Sequence, residues 1–98
     1  MNIMESASVE RLFRVIQSLQ TPEECRWFFE DICTIREIQD MAQRLDVAML
    51  LREGKNYQEI SATTAVSSAT ISRVNRCLLY GNGGYRVALD RYDEEEKA

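Results

Sequence analysis

The chain has no histidine in its 98 residues. That removes the usual general base near neutral pH and the commonest nitrogen ligand for metals. Three cysteines are present, Cys25, Cys33 and Cys77, an odd number with no metal-binding spacing. They are expected to be buried thiols rather than a redox or metal centre. No glycine-rich phosphate loop occurs. The neighbouring carboxylates Glu23/Glu24 and Glu30/Asp31 would point to different faces of a helix. Catalysis is therefore not expected, and neither is a cofactor. No stretch approaches the roughly 18 apolar residues of a membrane span, and the N-terminal segment lacks a basic run followed by an apolar one. The expectation is a cytoplasmic chain with no membrane partner.

Net charge is low as well, at -4. Its distribution matters more than its sum. From Arg52 to Arg86, Arg52, Lys55, Arg73, Arg76 and Arg86 face only Glu53 and Glu59, a local +3 that leaves -7 elsewhere. Such segregation suits a protein that presents one face to phosphates and keeps the rest from sticking.

The periodicity predicts six helices and no strands, in one domain over 1–98. Val9, Leu12, Phe13, Ile16 and Leu19 recur at helical spacing. A second helix opens at Thr21-Pro22-Glu23-Glu24: a cap residue, proline at the first helical position, then acids that meet the helix dipole. It carries Trp27, Phe28, Phe29 and Ile32. A third starts at Thr34 with Glu37 as capping-box partner and runs to about Arg52. These helices, over 8–53, are expected to pair with a second copy, because so short a chain buries little surface alone. A fourth and fifth helix occupy 56–79. Gly81-Asn82-Gly83-Gly84 breaks the chain, a last helix covers 84–92, and 93–98 is expected to be a frayed acidic tail.

Residues 57–76, YQEISATTAVSSATISRVNR, are the most informative stretch. Gly54 suits the end of the preceding helix. Asn56 can cap the fourth helix with Glu59 three residues on. Small residues Ser61 and Ala62 allow close approach of a crossing helix. Ala65 falls at the turn, where many helix-turn-helix motifs have glycine because positive φ is often needed; a non-glycine residue in that conformation costs roughly 1–2 kcal/mol. Val66 would plug the corner. Ser67 caps the fifth helix, whose inward stripe is Ile71, Val74 and Leu78. This is the pattern of a helix-turn-helix, whose second helix enters the DNA major groove. The candidate DNA-binding residues are Lys55, Gln58, Ser68, Ala69, Thr70, Ser72, Arg73 and Arg76. Arginines there would neutralise phosphates, and Ser68, Ala69 and Ser72 would face the groove. None of those three makes a bidentate base contact, so sequence preference would rest on thymine methyls, bridging water and DNA deformability.

The run CTIREIQDMAQRLDVAMLLREGKNYQEI, then SSATISRVNRCLLYGNGGY, resembles the Trp repressor superfamily, and within it the YerC/YecD-like branch of small bacterial proteins. The resemblance covers nearly the whole chain. It implies an all-α, six-helix fold, an intertwined homodimer with a helix-turn-helix in each subunit, and a role as a transcriptional regulator, a repressor, bound to double-stranded DNA. It gives Ser68, Ala69 and Ser72 a base-facing role and Thr70 a phosphate role. It also implies that Arg73 lines a tryptophan pocket. There the family's following glycine is Val74 here, and its serine three residues further on is Cys77. Gln43 and Arg44 both stand near the position of a second pocket arginine. Losing the space and the hydrogen-bonding group implies that free tryptophan is not the co-repressor. The alternative is a helix-turn-helix that docks on proteins, with the acidic half as its working face.

Overall fold

A computed structural model describes residues 2–97. A short 3₁₀ turn, Ile3–Glu5, precedes six helices: α1 (Ala7–Gln17), α2 (Pro22–Ile32), α3 (Ile35–Arg52), α4 (Tyr57–Thr64), α5 (Ser68–Tyr80) and α6 (Gly84–Lys97). No strand occurs among the described residues. The expected single domain divides into two compact units, one ending at Ile38 and the other starting at Gln39. The division falls in the first turn of α3 rather than after residue 53.

The first unit is built from local signals. Ser6 caps α1 by accepting from the Val9 N–H at 3.2 Å. Thr21 caps α2 by accepting from Glu24 N–H at 3.1 Å, and the Glu24 carboxylate accepts from Gln20 N–H at 2.8 Å. Thr34 and Glu37 form a reciprocal capping box for α3, at 3.1 and 2.8 Å. Each bond satisfies a donor that a helix start would otherwise leave unpaired. The Phe28 and Phe29 rings meet edge to face at 5.6 Å. No side chain of α1 or α2 is buried.

The second unit holds the core. Val47 and Ala48 of α3, Ile60 of α4, Val66 of the turn after α4, Ile71 and Val74 of α5, and Leu89 of α6 are buried together, with Leu50, Leu51, Leu78 and Tyr85 packed against them. The end of α3 carries two bonds of a Schellman motif: Gly54 N–H donates to the Leu51 carbonyl at 3.0 Å, and Lys55 N–H to the Leu50 carbonyl at 3.1 Å. Gly54 has φ +87°, the left-handed conformation that motif requires. Between α5 and α6, Gly81 has no room for a side chain, because a Cβ there would strike the Cys77 carbonyl.

The last helix departs from expectation. It continues to Lys97, through most of the segment expected to fray. Glutamate and lysine are good helix formers, and Lys97 in the last turn complements the negative end of the dipole. Ala98 lies outside the described residues. The expected buried thiols are also corrected. Cys25 and Cys77 are exposed and Cys33 is half-buried. Cys25 lies on a helix with no buried residue, and Cys77 lies off the inward stripe of α5.

Candidate nucleic-acid interface

Helices α4 and α5 pack against each other around the corner at residues 65–67. Asn56 caps α4 by accepting from Glu59 N–H at 2.9 Å. Ala65 adopts φ 59°, ψ 19°, the positive-φ turn its position requires, and its N–H donates to the Ser61 carbonyl at 2.9 Å. Val66 fills the corner from within the core. Ser67 caps α5 by accepting from Thr70 N–H at 3.3 Å.

Thr64 holds this corner in a way the sequence pattern did not reveal. Its hydroxyl donates to the Ile60 carbonyl at 2.7 Å and accepts from Val66 N–H at 3.2 Å. One side chain thus spans the left-handed residue and pairs groups on both sides of it. A threonine directly before a left-handed turn residue is the signal that could have found it.

Ile71 and Val74 are buried and Leu78 half-buried, so the inward stripe of α5 is fixed. Ala69, Arg73 and Arg76, spaced four and three apart, lie on the opposite side and are exposed. Ser68 is exposed at the start of the helix, and Ser72 is half-buried at its flank. The guanidinium groups of Arg73 and Arg76 make no hydrogen bond or ion pair with any described residue. Lys55 and Gln58 are exposed on either side of the Asn56 cap, and their side chains also make no hydrogen bond or ion pair with a described residue. Thr70 differs from the others. It is half-buried, and its hydroxyl accepts from the Ser67 hydroxyl at 3.2 Å, so part of its bonding capacity belongs to the cap.

Not every cation of the basic segment is available. Arg52 reaches Asp90 at 2.6 Å and Asp93 at 3.6 Å, tying the end of α3 to α6. Its charge is already matched, which reduces the local excess counted from sequence.

A second stripe of α5, Thr70, Arg73 and Cys77, faces Arg44 and Tyr85 across a groove of about 350 Å³. Arg44, not Gln43, stands with Arg73. Gln43 lines a different groove beside Asp46 and Glu53. Val74 also lines the Arg44 groove and is anchored in the core.

A capped helix-turn-helix with a polar, partly cationic outer face defines the class of this protein. The sequence model of the Trp repressor protein family matches residues 7–93. The YerC protein of Bacillus subtilis (strain 168), itself uncharacterized, is 54% identical over 93 residues, covering 95% of this chain and 89% of that protein. A TrpR-like protein from Eubacterium eligens ATCC 27750 has a crystal structure similar at a TM-score of 0.89, with 47% identity over 95% of this chain and 96% of that one. A Staphylococcus aureus protein whose crystal structure carries a provisional Trp repressor assignment matches at 0.87, with 43% identity and 95% of both chains covered. The chain belongs to the Trp repressor superfamily, in its YerC-like branch. No helix among the described residues is long and apolar enough to cross a membrane.

Proposed function

We propose that the chain is a sequence-reading DNA-binding transcriptional regulator, a repressor, whose α5 enters the major groove. The observation that carries this reading is the outer face of α5: Ala69, Arg73 and Arg76 exposed on one stripe, with neither guanidinium group paired to a described residue. Arg73 and Arg76, aided by Lys55, take phosphates. Ser68, Ala69 and Ser72 lie against base edges. Gln58 adds a contact from α4, and Thr70 contributes through the hydroxyl proton its cap leaves free. The test is duplex binding across a salt series with the Arg73→Ala/Arg76→Ala variant. Binding to all sequences should weaken, and the salt slope should fall by about 0.9 for each phosphate no longer neutralised. Unchanged affinity and slope would remove both residues from the interface and favour protein docking instead.

The working unit in this proposal is a homodimer reading two half-sites about 34–36 Å apart. Its support is the first unit, where Trp27 is 62% and Ile35 76% exposed although both are large and apolar. Large apolar side chains left in water in this number are candidates for burial by association. A monomer at micromolar concentration by sedimentation would contradict it.

The proposal excludes free tryptophan as the effector. Val74 fills space beside Arg73, and the Cys77 thiol is a weak hydrogen-bonding partner for an amine. Tight tryptophan uptake in a calorimetric titration would overturn this.

A further inference from the structure

We propose that the groove between the C-terminal ends of α3 and α5 and the start of α6 binds a small monocarboxylate with an apolar body, an aryl or short alkyl acid. Its volume is about 440 Å³, within the range of small-molecule sites. Leu51, Leu78 and Leu79 supply an apolar wall, and Leu79 is 61% exposed.

The polar groups around that wall divide into matched and unmatched. Arg52 and Asp90 are bound to each other at 2.6 Å, so neither asks for a ligand. Arg86, one turn before Asp90 on α6, makes no hydrogen bond or ion pair with any described residue. The same holds for the half-buried side-chain amide of Asn75. A guanidinium offers a planar fork of donors that fits a carboxylate bidentately, and the amide supplies one further donor. The ligand class follows: one negative charge for Arg86, an oxygen for Asn75, and a hydrocarbon body for the leucines.

Two neighbouring grooves of the second unit lack this combination, and the Arg44–Arg73 groove has no leucine wall. The one between α3 and α4 presents Asp46 and Glu53 with no cation, and it would repel an acid. The one beside Leu89 contains the engaged Arg52 together with Asp93 and Glu53. Asn75 and Leu79 lie on a different stripe of α5 from Arg73 and Cys77. The inference therefore stands independently of the DNA-binding reading.

The test is an NMR titration of the full chain with phenylacetate and, separately, with its uncharged amide, up to about 10 mM. Saturable shifts at Asn75, Leu79, Arg86 and Val87 are expected with phenylacetate. The amide should bind about tenfold more weakly, and Arg86→Gln should lower phenylacetate affinity by about the same factor, the worth of one charge-assisted contact. Arg86 is exposed, so the substitution does not threaten the fold. No saturable shift in this groove, equal binding of acid and amide, or undiminished binding by Arg86→Gln would each overturn the proposal.

Discussion

The two units spend their apolar residues differently. Every buried hydrophobic side chain of the core belongs to the second unit. The first unit is no poorer in large apolar residues, yet Phe13, Val15, Trp27, Ile32 and Ile35 are exposed. The second unit thus carries within itself the packing that aims α5. The first has well-capped helices with large apolar side chains left exposed. Local sequence signals suffice to start a helix, but only tertiary packing fixes where its face goes.

Predictions that break or sharpen this contrast run from large to small. Ile71→Ala removes a fully buried side chain at the centre of the second unit and should cost about 2–5 kcal/mol in urea unfolding. A loss below about 1 kcal/mol would mean this core does not hold the corner. Trp27→Ser in the first unit should act on association instead. Helix content by circular dichroism should stay the same while the monomer fraction rises, with a loss of about 2 kcal/mol in dimer affinity. A variant that unfolds without dissociating would contradict that division of labour.

Smaller effects probe the corner itself. Ser67→Ala deletes the α5 cap and should lower stability by about 1 kcal/mol, read as a reduced thermal midpoint. Ala65→Gly relieves the left-handed strain at φ 59° but loosens the unfolded chain. The net gain should be about 0.5 kcal/mol, with DNA affinity unchanged. A loss of stability there would show that the methyl group contributes packing.

What was legible in the sequence is what local chemistry dictates. The starts at Thr21, Thr34, Asn56 and Ser67, the stop at Gly54 and the positive φ at Ala65 each depend on residues within four or five positions. The inward stripe Ile71, Val74 and Leu78 was legible for the same reason. The Arg52–Asp90 pair was not, because its partners are 38 residues apart and nothing local links them. Nor was the choice between Gln43 and Arg44, since adjacent residues on a helix differ by about 100° and only the neighbouring helices decide which faces α5. The tail was misjudged because its high charge suggested fraying, while the helix propensity of glutamate carried α6 on to Lys97. Thr64 was visible as a residue, but its role was not, because its two hydrogen bonds exist only once the corner has formed.

The most direct test of the central claim is selection of bound duplexes from a random DNA pool by the purified protein, at about 0.1 M salt so that phosphate binding is neither exaggerated nor abolished. The account predicts enrichment of a palindrome whose half-sites lie about one helical turn apart, read by α5 from each of two subunits. Recovery of the pool without enrichment would contradict it.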